Sequence, residues 1–134
     1  MVVTLKLYLI AALIFTAIDF VWLRFVARDL YRKQLSSLLA DKPRLGAAVV
    51  FYVLFLVGML VFVIVPAYNH HTALWATGYG ALFGFFTYIT YDLTNLATLK
   101  VWSLKISLMD MAWGTVLTAI TASAGAAAAL ALGR

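Results

Sequence analysis

The chain contains no cysteine and no glutamate. The first absence excludes disulfides and thiolate metal sites. The second makes all five acidic residues aspartates, and three of them, Asp19, Asp92 and Asp110, fall inside apolar segments. Charge is scarce throughout: 11% of the 134 residues are charged and 66% are hydrophobic. A soluble domain averages about 25% charged and about 45–50% apolar, so this composition belongs to a membrane protein, expected to form one domain over 1–134. Proline occurs twice, as Pro43 and Pro66, and each is expected to end a helix. The glycine-rich spacing is not followed by Gly-Lys-Ser/Thr and is no phosphate loop. No Ser-His-Asp or Cys-His set lies at a common depth. The net charge of +5 does not signal nucleic acid, because most basic residues flank hydrophobic segments, where orientation signals and lipid-phosphate contacts belong.

Four apolar segments follow in order, over about 5–23, 46–65, 72–96 and 106–132. Asp19 and Trp22 stand where a signal peptide would carry its small-residue cleavage site, so the first segment reads as a retained span. Residues 24–40 differ in kind. Val26, Ala27, Leu30, Tyr31, Leu35, Leu38 and Leu39 recur at helical spacing among Arg24, Arg28, Arg32 and Lys33. That pattern predicts an amphipathic helix in the headgroup layer, continuous with the first span and ended by Asp41-Lys42-Pro43-Arg44. Gly46–Val65 is 20 residues without a charge, the clearest span, with Pro66 as its stop. The expected fold is all-α: an integral membrane four-helix antiparallel bundle with one amphipathic cytoplasmic helix.

Eight lysines and arginines lie in the first and third connections and two, Lys6 and Arg134, on the other side. By the positive-inside bias both connections are cytoplasmic and both termini outside. Asp19 then lies five residues before Arg24, Asp92 eight before Lys100 and Asp110 five after Lys105. At about 1.5 Å per residue these are roughly 7, 12 and 7 Å from the inner boundary. Three spans thus bring one acid each to nearly one level. Tyr88, Tyr91, Asp92 and Asn95 share a helix face. Asp19-Phe20-Val21-Trp22 and Asp110-Met111-Ala112-Trp113 repeat the spacing D-x-x-W, which sets acid and indole on one face. Each indole is expected to shield its acid or to donate its N–H to a neighbouring carboxylate. Carboxyls gathered in low dielectric need protons or compensating cations. Arg24 and Lys100 are long enough to reach inward, and Tyr88, Tyr91, Thr94, Asn95 and the indoles are candidate donors.

Two readings of the acids compete: a polar plug that only fastens helices, and a functional pocket. Intramembrane acids are costly and usually mark a site. Gly80-x-x-x-Gly84, with Gly78 beside it, and Gly125, Ala129 and Gly133 permit close helix contact, within the monomer or as a homodimer seam. His70 and His71 read as solvated loop residues, since adjacent histidines point to different faces. Arg24 and Lys100 argue against a hard metal ion at the aspartates, and no cofactor or metal is expected. Tyr31, Tyr52 and the phenylalanines read as packing or interface anchors.

The run YDLTNLATLK from Tyr91 to Lys100, then Trp102, then Asp110-x-x-Trp113-Gly114, resembles the bacterial domain-of-unknown-function 2177 family. The earlier Asp19-x-x-Trp22-Leu23 and the basic helix containing Tyr31 extend the resemblance over essentially the whole chain. It implies a small four-helix protein of the bacterial inner membrane and supplies no established activity. Its motif positions here are Asp19, Trp22, Tyr31, Tyr91, Asp92, Asn95, Lys100, Trp102, Asp110 and Trp113.

The function these features favour is non-enzymatic binding of a membrane lipid or other amphiphile at the inner leaflet. Asp19, Asp92 and Asp110 would accept hydrogen bonds, Tyr88, Tyr91 and Asn95 would orient the polar end, and Trp22 and Trp113 would form apolar walls. Arg24 and Lys100 complete the expected ligand-binding set. The alternatives are a proton-coupled transporter of small cationic substrates acting as a homodimer, a lipid-modifying enzyme with an aspartate as general acid or base, and an accessory subunit.

Overall fold

A computed structural model describes residues 1–70 and 72–133. His71 and Arg134, used above for the loop and for the charge bias, lie outside the described residues. Four long helical rods make an antiparallel bundle. The first joins α1 (Val2–Val21), a π-helical segment (Trp22–Ala27) and α2 (Arg28–Leu35). The second joins α3 (Leu45–Met59), a π-helical segment (Leu60–Ile64) and α4 (Val65–His70). The third is α5 (Ala73–Thr98) and the fourth α6 (Leu104–Leu132). Among the described residues Val2–Leu35, Leu45–His70 and Leu104–Leu132 are long and apolar enough to cross a membrane. Helix α5 has 26 residues, about 39 Å at 1.5 Å per residue. It has the length to cross the ~30 Å hydrocarbon layer, but tyrosines, threonines and Asp92 make it more polar.

Local chemistry explains the ends. Thr72 caps α5, its hydroxyl accepting from the Trp75 amide at 3.2 Å, and Ser103 caps α6 through the Ile106 amide at 3.1 Å. Each satisfies an amide that the first helical turn leaves without a partner. Along α5 the threonines turn inward on their own backbone: Thr87 donates to the Phe83 carbonyl at 2.7 Å, Thr90 to Phe86 at 2.6 Å and Thr98 to Thr94 at 2.7 Å. Thr94 likewise donates to the Thr90 carbonyl, so it is not a donor to the aspartates.

Two expectations about helix ends are corrected. The amphipathic helix stops at Leu35, not near Ala40. The Leu38 and Leu39 amides both fold back onto the Leu35 carbonyl, because Ser36 and Ser37 compete with a helical backbone. Helix also continues through Pro66 to His70. A proline ring removes one amide and crowds the carbonyl four residues earlier. The widened π-helical turn at Leu60–Ile64 lies where that crowding falls, and it lets the rod continue.

The tightest pairing is α5 on α6. A Cβ on Gly80 would stand 2.6 Å from the Ala122 Cβ, and one on Gly84 2.4 Å from the Gly114 carbonyl oxygen. Only glycine permits that approach, and the contact it brings replaces the hydrophobic drive that lipid cannot supply. Gly78, on the same helix, faces open space within 4 Å. Gly78→Ala is therefore expected to be neutral or stabilising, by up to about 1 kcal/mol from reduced backbone entropy. The check is the unfolding temperature of the detergent-solubilised protein.

Phe15, Phe55, Met59, Val63, Ile64 and Leu117 fill the centre of the bundle. The first ten residues of α3 do not join it. From Leu45 to Leu54 every residue but Tyr52 is exposed, so the rod is packed at one end and stands free at the other. This free end lies on the basic side, where Gln34 of α2 accepts a hydrogen bond from Ser103, in the α5–α6 connection, at 3.0 Å.

Candidate functional site

Asp19 occupies the last turn of α1 and is buried. Tyr52 of α3 donates its hydroxyl to Oδ2, and the Trp113 indole of α6 donates Nε1–H to Oδ1 at 3.1 Å. One carboxyl therefore ties three helices together, and Tyr52 holds the free end of α3 to the bundle together with Tyr8 of α1, whose hydroxyl donates to the Val53 carbonyl at 3.3 Å. Trp22 stacks flat on Trp113, with ring centroids 4.3 Å apart and planes at 7°. The two D-x-x-W segments thus interlock: the indole of the second serves the acid of the first.

Asp110 receives the Tyr31 hydroxyl at 2.8 Å. Asp92 is wholly buried, and among the described residues no N–H or O–H donor reaches either of its carboxyl oxygens. Its neighbour is the carboxyl of Asp110. Tyr88 lies close enough to sense the charge of Asp19, Asp92 and Asp110 alike. Its ring occupies the gap left by Gly114, where a Cβ would come within 2.2 Å of the ring.

Asp92 and Asp110 are neighbours, and Asp19 has its own two donors. The cavities divide the same way. One of about 320 Å³ lies between α3, α5 and α6, lined by Phe51, Phe55, Thr87, Tyr88, Tyr91 and Asp110. Another of about 440 Å³ lies between α1 and α3, lined among others by Tyr8, Thr16, Asp19, Leu23, Val49 and Tyr52. Phe51 and Tyr91, 51% and 58% exposed, leave the first cavity open toward the lipid-facing side.

The remaining expected site residues are dispersed. Arg24 is exposed and rests over the Phe25 ring at 5.7 Å, and Lys100 is exposed. Among the described residues no Lys or Arg pairs with Asp19, Asp92 or Asp110. Both stems point their charge outward, where water and headgroups solvate it. Asn95 lies beside the Tyr91 hydroxyl rather than on a carboxyl. Tyr91 meets Trp102 edge-on at 5.8 Å, and Trp102 donates to the Ser107 hydroxyl at 2.9 Å. His70 is the exposed last residue of α4, at the opposite end.

Tyr31, a motif position of the family resemblance, and Tyr52 bond two of the aspartates, whereas the residue-level reading took both as anchors. A signal existed for Tyr52: it lies eight residues after Arg44, about 12 Å in at 1.5 Å per residue, at the depth of the acids. Removing its hydroxyl tests its part. With no native cysteine to interfere, spin labels on Leu23→Cys and Val49→Cys span the α1–α3 groove. Adding Tyr52→Phe is expected to broaden their distance distribution toward longer values, as the free end of α3 loses one of its two tethers. An unchanged distribution would show that apolar packing and the Tyr8–Val53 hydrogen bond suffice to hold it.

Residues 4–127 match the family described as "Predicted membrane protein (DUF2177)". No curated protein and no solved structure matches the chain. With nearly its whole length covered and its helices as apolar as such a protein requires, the chain belongs to the DUF2177 family of predicted membrane proteins.

Proposed function

We propose that this protein binds a membrane amphiphile, with the polar end against the Asp92–Asp110 pair and the apolar part leaving between Phe51 and Tyr91 into the bilayer. The observation that carries the reading is the cavity of about 320 Å³ whose walls are mostly rings and whose polar wall is Asp110. Small-molecule sites are of this kind: apolar, roughly 300–1,000 Å³, with a few placed polar groups. Asp92 supports it from behind. A buried carboxyl without a donor is unfavourable for the protein alone, which is the mark of an acid kept for a use, here behind the Asp110 carboxyl that lines the cavity. A structural plug would instead satisfy its acids, as Asp19 is satisfied by Tyr52 and Trp113.

The test is direct. The protein is purified from its native membrane in a mild neutral detergent, and the lipid it retains is extracted and compared by mass with bulk lipid. One species enriched over bulk in the wild type, and lost from folded Asp110→Asn, is the expected result. A retained profile identical to bulk, or unaltered by Asp110→Asn, would overturn the reading.

A further inference from the structure

We infer that the polar end this site takes is an organic cation, an ammonium group seated among the rings of Phe51, Phe55, Tyr88 and Tyr91 with the Asp110 carboxyl beside it. The inference rests on the amphiphile-binding reading above and names the chemical class of its headgroup. Three observations converge on it. First, four aromatic rings line one small cavity. Phe51 and Phe55 lie 5.7 Å apart, and Phe55 meets Tyr88 edge-on at 6.1 Å. Ring faces carry negative potential and attract a desolvated ammonium group, most strongly where several enclose it.

Second, the acids beside the rings have no cation of their own. Arg24 and Lys100 are exposed, and no other Lys or Arg among the described residues approaches the Asp92–Asp110 pair. An ammonium group seated there would neutralise a carboxylate of the pair wherever one is ionised. An anionic headgroup would meet only repulsion there, and a neutral hydroxyl would leave the charge uncompensated.

Third, the donors do not suit a metal ion. Among the described residues no group of three or more His, Cys, Asp or Glu is arranged to hold one, and rings make up most of the lining. A hard cation needs six or more oxygens; an alkylated ammonium needs rings and one carboxylate.

The experiment uses the intact protein in maltoside micelles, with dodecyltrimethylammonium, dodecanol and dodecyl sulfate as probes. Native mass spectrometry counts the probe molecules retained per chain at rising concentration. One dodecyltrimethylammonium per chain is expected at concentrations about tenfold below those needed for dodecanol, with dodecyl sulfate excluded. Asp110→Asn and, separately, Tyr91→Leu are each expected to erase that preference. Tyr91 is more than half exposed, so its replacement is tolerated by the fold and keeps the test alive if Asp110→Asn misfolds. Equal retention of dodecanol and dodecyltrimethylammonium would overturn the cation assignment and leave amphiphile binding standing. Retention of no probe would overturn both.

Discussion

Gly84→Ala is expected to destabilise the bundle by about 3 kcal/mol, the upper end of what overpacking usually costs. The added methyl would lie 2.4 Å from the Gly114 carbonyl oxygen, 2.6 Å from the Thr118 hydroxyl and 2.7 Å from its Cβ. None of these is the far end of a flexible side chain. One belongs to backbone, and the others to a β-branched residue with few rotamers open to it in a helix. Relief requires α5 and α6 to separate, and separation would also disturb Gly114, Tyr88 and the carboxyl pair. The measurement is reversible unfolding in mixed micelles against Gly78→Ala, a change of the same chemistry on the same helix with open space in front of it. If the two variants unfold together, the close approach of α5 and α6 is wrong.

Asp92→Leu is expected to move stability the other way while removing binding. The carboxyl is wholly buried and receives no donor among the described residues. Exchanging a buried, unsatisfied polar group for an apolar one of similar volume is neutral or favourable, here by about 1–3 kcal/mol. Retained amphiphile should fall to the level of bulk lipid, because Asp110 then faces hydrocarbon in place of its partner. A variant both more stable and empty would be the mark of an acid kept for its use. A variant that unfolds would show instead that Asp92 holds the helices together, as Asp19 does. The two carboxylates thus make opposite forecasts: Asp19→Leu strands the Tyr52 hydroxyl and the Trp113 N–H, and should destabilise.

Much of this architecture was legible in the sequence, because hydrophobic length and helical period act locally. Uncharged runs and the Lys and Arg flanks each act within a few residues. Spacing at 1.5 Å per residue also gave an expected height for each acid along its helix. Height is not azimuth, however. The same arithmetic could not say that Asp19 and Asp110 line different cavities. The partners of the Tyr52 and Tyr31 hydroxyls were not foreseen, because a tyrosine in a membrane chain has an ordinary explanation as an interface anchor. Its hydroxyl partner lies 33 residues away in one case and 79 in the other. Arg24 and Lys100 went the other way. Reach was the criterion, and reach is necessary but does not outweigh the loss of hydration on entering the bundle. Gly78, Gly80 and Gly84 looked alike on paper, yet only the last two meet α6, because residue 78 is turned away from it.

The parallel indoles of Trp22 and Trp113 give the molecule an optical signature of its own. Two such chromophores 4.3 Å apart at 7° couple their transition dipoles, so the pair should absorb and emit as one excited state, shifted from that of Trp75 and Trp102. Because one member of the pair is bonded to Asp19, any rearrangement at that carboxyl would be written into the near-ultraviolet spectrum, with no dye attached.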